Sequence, residues 1–161
     1  MRPALASYRF LTTWVLDAPL DAVWEEIYAS ERWPEWWRGV ERAEKVREGD
    51  ENGVGAVVDY TWRSVLPYPV RFKGETLEVE RPRRIHARAW GELDGNGTWR
   101  LFGGANGVAV TYDWRVETTQ AWMNALAPLA RPVFAWNHHA IMRWGGEGLA
   151  RRLGARLVAA S

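Results

Sequence analysis

Three histidines, four serines and a spread of carboxylates carry the reactive side chains of this chain, and their spacing narrows what they can do. His138 and His139 are adjacent in a stretch of helical pattern, so their side chains diverge by about 100° and cannot easily hold one ion. His86 stands between Ile85 and Ala87 on a strand-like run, on the face opposite both, which predicts a surface position. None of Ser7, Ser30, Ser64 and Ser161 lies in a nucleophile elbow, so no serine triad can be named. Gly95-x-Gly97 and Gly103-Gly104 fall in hairpin turns rather than between a strand and a helix, which disqualifies them as phosphate cradles. Asp59, Asp113, Glu75 and Glu78 could form an acid/base pair, but alternation gives most of them a solvated sheet face. Cysteine is absent, which removes disulfides, thiolate nucleophiles and Cys-based metal sites. The expectation is a protein with no metal and no cofactor.

Polar residues on inward-facing positions are more informative, because an apolar cavity needs only a few placed polar groups to orient a ligand. Thr12, Arg100, Tyr112 and Asn137 meet that description. Asn137 is the sharpest case: a buried amide without a partner costs a few kcal/mol, so it must bond a ligand or a neighbouring strand or loop. His138 borders the same face and His139 points away.

The elements that must position these residues follow from hydrophobic period. Tyr8 to Leu16 alternates, with Phe10, Thr12, Trp14 and Leu16 on one side, and reads as a first strand. Leu20, Val23, Trp24, Ile27 and Tyr28 then recur at helical spacing behind Pro19, with Asp21, Glu25 and Glu26 on the other stripe. Pro34 is expected to open a second short helix amid Trp33, Trp36 and Trp37. Val40 to Arg47 and Val54 to Arg63 read as a hairpin around an acidic turn. Val70 to Val79, Arg84 to Glu92, Thr98 to Phe102 and Val108 to Glu117 supply further strands, giving about seven antiparallel strands punctuated by glycine-rich turns. After Thr119 the period becomes helical, with a short segment at Ala121 to Ala130 and a long helix from about Pro132 to Leu157. Phe134, Asn137, Ile141, Trp144, Gly145 and Gly148 share its inward face, bordered by His138, Met142 and Leu149, while Arg143, Glu147 and Arg151 face solvent. Gly145 and Gly148 each cost roughly 1 kcal/mol in a helix relative to Ala. They either let the helix approach the sheet or leave room for a ligand, and the second reading is adopted.

Twelve tryptophans in 161 residues are several times ordinary usage. Each ring buries roughly 150 to 250 Å², so a core needs only a few. Trp14, Trp62, Trp90, Trp99, Trp114 and Trp144 are the rings to sort between core and pocket wall.

The stretches APLDAVWEEIY and WPEWW, the strands after them, and the ending RPVFAWNHHAIMRWGGEGLARRL resemble the START-like superfamily of polyketide cyclases, dehydrases and lipid-transport proteins. The resemblance runs from about Tyr8 to Leu157. It implies an α+β helix-grip fold, with a curved antiparallel sheet wrapped around the C-terminal helix and an apolar cavity between them. It is specific for fold and unspecific for ligand, since carriers, hormone receptors, cyclases and chaperone activators share the scaffold. It also implies that the cavity mouth is formed by Val65 to Pro69, Leu93 to Gly97, and Thr118 to Trp122.

The length suits one domain over residues 1–161. A net charge of +1 from 21 basic and 20 acidic residues, interspersed along the chain, gives no electrostatic footprint for nucleic acid. The start, MRPALASYRF, is too short and polar for a signal peptide, and no apolar run approaches a membrane span, so a soluble cytoplasmic protein is expected. The function expected is binding or transport of a small hydrophobic molecule such as a lipid or aromatic polyketide. Trp14, Thr12, Arg100, Tyr112, Trp114, Asn137, His138, Ile141, Trp144, Gly145 and Gly148 are the candidate contacts. The alternatives are a cyclase- or dehydrase-like enzyme drawing acid/base help from Arg100, Tyr112 or His138, and a protein-interaction module resembling the chaperone activators.

Overall fold

Alternation along the chain builds one antiparallel sheet. The computed structural model describes residues 7–119, 121, 125 and 127–161. Strands β1 (Ser7–Leu16), β2 (Val40–Arg47), β3 (Val57–Trp62), β4 (Val70–Glu80), β5 (Arg84–Gly91), β6 (Leu93–Gly104), β7 (Gly107–Thr118) and β8 (Leu157–Ala160) lie in the order β2-β3-β4-β5-β6-β7-β1-β8. Helix α1 (Leu20–Tyr28) and a 3₁₀ helix (Ser30–Glu35) follow β1, and α2 (Ala127–Leu153) precedes β8. This is the helix-grip arrangement.

Register explains why one face is apolar. Tyr8, Phe10, Thr12, Trp14 and Leu16 of β1 stand opposite Val116, Trp114, Tyr112, Val110 and Val108 of β7. Trp99 and Leu101 of β6 continue the same rows, and all of these point to the concave side. Residues of the other parity carry the outer face and its ion pairs: Arg42 with Asp59 at 2.9 Å, Arg88 with Glu75 at 3.0 Å, Arg115 with Asp113 at 3.3 Å, and Arg84 with Glu78. The four carboxylates weighed for acid/base chemistry are therefore surface ion-pair partners. Arg143, Glu147 and Arg151 are exposed, as their helical positions predict.

The structure corrects several boundaries. The long helix starts before Pro132, which sits inside it and forgoes one backbone bond, and ends at Leu153 rather than Leu157. Gly154, at φ +60°, closes it: its N–H donates to Arg151 O at 3.2 Å and the Ala155 N–H to Ala150 O at 2.9 Å, a pairing that stops a helix sharply. The freed segment pairs with β1 as an eighth strand. Pro34 lies inside the 3₁₀ helix instead of opening a helix of its own. Leu93 to Gly97 is not a loop. Gly95 and Gly97 are paired on both sides, and each is glycine because a side chain would collide with the Arg115 carbonyl oxygen or the Tyr112 hydroxyl. Part of the mouth segment Thr118 to Trp122, and part of the short helix expected at Ala121 to Ala130, lies outside the described residues.

The core fills one end of the concave face. Trp14, Trp24, Trp33, Trp36, Trp37 and Trp99 are buried there with Leu16, Val23, Ile27, Val110 and Leu149. Trp14 meets Trp37 edge-on at 5.5 Å and Trp99 at a tilt at 5.6 Å, and Trp36 stacks on Trp37 at 5.4 Å, arrangements that suit the aromatic quadrupole. Trp37 also donates its indole N–H to the Ile141 carbonyl oxygen at 2.9 Å, tying this cluster to α2.

Candidate functional site

The other end of the concave face is not filled. Between β1, β3 to β7 and the first half of α2 lies a cavity of about 210 Å³. Its walls are aromatic and aliphatic: Tyr8 and Phe10 from β1, Val58, Tyr60 and Trp62 from β3, Phe72 from β4, Trp99 from β6, Tyr112, Trp114 and Val116 from β7, and Phe134, Ile141 and Met142 from α2. Trp33 and Trp37 form its boundary with the core. The aromatic walls stack in series, Trp99 on Tyr112 at 4.2 Å and Tyr112 on Trp114 at 5.7 Å.

Five of the residues singled out from sequence meet there: Tyr112, Trp114, Asn137, His138 and Ile141. The other six lie elsewhere. Trp14, 1% exposed, is locked into the tryptophan cluster, and Thr12 sits buried in β1 between Phe10 and Trp14 without lining the cavity. Arg100 alternates with the buried Trp99 and Leu101, so it projects from the outer face. The Arg38 guanidinium lies 4.2 Å from the ring centre of Trp144, away from the cavity wall. Gly145 and Gly148 seat α2 on the chain after the 3₁₀ helix, since a side chain at either would run into the Trp37 indole or the Trp36 carbonyl oxygen. Both glycines serve close approach of the helix and leave no room for a ligand. One geometric fact underlies this division: α2 crosses the cavity with Phe134 to Met142 and the core with Gly145 to Ala150, so one helical face serves both.

Sequence reasoning missed Tyr8, Tyr60, Phe72 and Val116 as lining residues, and Trp62, one of the rings left to sort, belongs to the wall. The parity that placed Phe10 and Trp14 inward applied equally to Tyr8. The alternation Val58-Tyr60-Trp62 carried the same signal.

Some polar groups inside are bonded, as Tyr60 is in donating its hydroxyl to Ser30 Oγ at 2.8 Å, and others are not. Among the buried side-chain atoms with no hydrogen bond are Tyr8 Oη, Trp62 Nε1, Asn137 Oδ1 and His138 Nε2, all on lining residues, with Thr12 Oγ1 nearby in β1. Each such group costs about 1 to 3 kcal/mol if nothing answers it. The His138 ring is stacked on Phe10, centroids 4.1 Å apart and planes 15° from parallel. Burial, helped by the charge of neighbouring His139, pushes His138 down to about 3, so it is neutral at physiological pH. Burial drives the Tyr60 and Tyr112 hydroxyls well above the ordinary tyrosine range. His86 takes no part; its Nδ1 lies 2.8 Å from Thr98 Oγ1, and Thr98, Asp113 and Leu11 occupy one row of the outer face. No helix among the described residues is long and apolar enough to cross a membrane.

With sheet, helix and cavity in place, the sequence matches a family model, "polyketide cyclase / dehydrase and lipid transport", over residues 9–161. The chain belongs to that family. Solved structures agree on the fold of this cyclase/dehydrase and lipid-transport domain. A Thermus thermophilus protein of 19% identity superposes at a TM-score of 0.69 over 91% of this chain and 98% of its own. The Streptomyces aromatase/cyclase ZhuI does so at 0.68 and 18% identity, over 91% and 95%. The di-domain ARO/CYC BexL reaches 0.67 at 16% identity over 90% of this chain, which spans 50% of the BexL chain. At these identities the likeness carries the fold alone. No curated relative matches the sequence.

Proposed function

We propose that this protein reversibly binds a small hydrophobic molecule, of the lipid, aromatic polyketide or similar metabolite class, in the cavity between β1, β3 to β7 and α2, and that it does so in the cytoplasm. The observation that carries the reading is the cavity itself: about 210 Å³ of apolar, mostly aromatic wall left open beside a core that is otherwise densely packed. Apolar cavities of roughly 150 Å³ stay dry and take up benzene, so this volume suits a ligand of about bicyclic size. Membership of a cyclase, dehydrase and lipid-transport family supports the same class of ligand.

A cyclase- or dehydrase-like reaction in the same cavity is the second reading, favoured by the aromatase/cyclase ZhuI having this fold. The electrostatics weigh against it. A general acid or base works best with a pKa near the operating pH, whereas burial drives Tyr112 up and His138 down, both away from neutrality. Arg100, the third group considered, is on the outer face. The interaction-module reading calls for an apolar groove with no second wall, whereas here the sheet and α2 both line the cavity.

Native mass spectrometry of the purified protein tests the proposal. A retained organic molecule, or one-to-one uptake of an added apolar compound, is expected; a protein that retains and takes up neither would count against it.

A further inference from the structure

The cavity's polar groups are not a random remainder. Asn137 and His138 are consecutive on α2 and both line the wall, and each buries an acceptor-capable atom, Asn137 Oδ1 and His138 Nε2, with no hydrogen bond. Tyr8 Oη, also unpartnered, stands on β1 two residues from Phe10, against which His138 is stacked. Resting on the binding function proposed above, we infer that the cavity selects uncharged apolar ligands that donate a hydrogen bond, with Asn137 and His138 as the acceptors, and turns away ionised carboxylates of the same size.

Three observations carry this. First, an amide oxygen accepts only, and a neutral imidazole has one acceptor nitrogen, so a hydroxyl or N–H on the ligand answers these two atoms, while the unpartnered Trp62 N–H and Tyr8 O–H on the facing strands can donate to the oxygen of the same hydroxyl. Second, among the described residues the cations beside the cavity are already engaged. Arg88, a charged residue at its border, is paired with Glu75 at 3.0 Å and lies 5.0 Å from the Trp90 ring centre on the outer face. Arg131 lies 4.9 Å from the Tyr8 ring centre and donates to the Ser7 carbonyl oxygen at 2.9 Å. Third, His138 could become a cation for a carboxylate only by ionising where its ring is stacked on Phe10 and its Nε2 is buried. Burial opposes that and so does His139 beside it. A charge brought into such a site without a counter-charge is costly.

The test uses four compounds of one shape on the intact protein at pH 7.5: naphthalene, 2-naphthol, 2-naphthoate and its methyl ester, each titrated against tryptophan emission. The inference expects 2-naphthol to bind at least about tenfold tighter than naphthalene, 2-naphthoate at least about a hundredfold weaker than 2-naphthol, and the ester to recover binding close to naphthalene. In Asn137→Leu and His138→Phe the ratio of naphthol to naphthalene affinity should fall toward one. Because that ratio is read within each protein, and the four-compound comparison on the natural chain needs no variant, a poorly folding substitution does not blunt the test. Naphthoate binding as tightly as naphthol, or naphthol gaining nothing over naphthalene, would overturn the inference while leaving the binding function intact. Failure of all four compounds to bind would overturn both.

Discussion

Trp37 and Ile141 are joined by an indole N–H to carbonyl hydrogen bond of 2.9 Å spanning 104 positions of sequence. The bond marks the plane at which α2 passes from cavity wall to packed core. Ile141 lines the cavity on one side of it, and one turn on, Gly145 brings the helix backbone against the same indole. Trp37→Phe keeps a ring among its aromatic neighbours but removes the donor. A loss of about 1 kcal/mol for the bond, plus a cavity contribution, is expected in chemical unfolding.

Gly148→Ala isolates the close approach. Helix propensity alone favours Ala by about 1 kcal/mol, so an exposed helical site would be stabilised. Here the added methyl would run into the Trp36 carbonyl oxygen, and overpacking costs about 1 to 3 kcal/mol. The expected outcome is a lower melting temperature, read by calorimetry. A higher one would show that the helix has room at this position.

His138 gives stability a pH dependence whose sign is fixed. Its folded pKa, about 3, lies below the unfolded value of 6.5. The unfolded chain therefore takes up the proton first as pH falls. The stability linked to neutral His138 is complete above about pH 6.5 and is lost progressively toward pH 3. His138→Phe lacks this linkage. Between pH 7 and 5 the unfolding free energy of the natural protein should fall by roughly 1 to 2 kcal/mol more than that of the variant. Parallel pH profiles for the two would show that the ring is not shielded.

Most of the fold was legible because strands and helices announce themselves by period: parity along Tyr8 to Leu16 and Val108 to Glu117 assigned the concave face, and Phe134, Asn137 and Ile141 fell on one helical face. The eighth strand was hidden because LVAAS is too short to alternate visibly; only Gly154 signalled the helix end. The candidate site was legible in part. Period says which face a residue occupies, but not how far along that face packing stops and the cavity begins. Trp14 and Tyr112 share parity and register neighbourhood, yet one is core and the other wall, because Trp37 reaches the first. Arg100 failed for a different reason: it follows the large inward Trp99 directly, so parity already placed it outside.

Tryptophan emission should report occupancy selectively. Trp33, Trp37, Trp62, Trp99 and Trp114 line the cavity, while Trp24 and Trp36 are buried away from it. A bound apolar quencher is expected to remove only part of the emission, and Trp114→Phe to reduce that part while Trp24→Phe leaves it nearly unchanged. Equal effects from both would place the quencher outside the cavity.

The central claim is tested most directly by titrating 2-naphthol into the natural protein and into Val116→Trp. Val116 is buried in the cavity wall opposite Tyr8, and an indole there would occupy the space assigned to the ligand. Occupation of this cavity predicts saturable one-to-one binding to the natural protein, and loss of binding in the variant with its melting temperature close to the natural value. Undiminished binding to a folded Val116→Trp, or binding by the natural protein only once denaturant has loosened it, would contradict it.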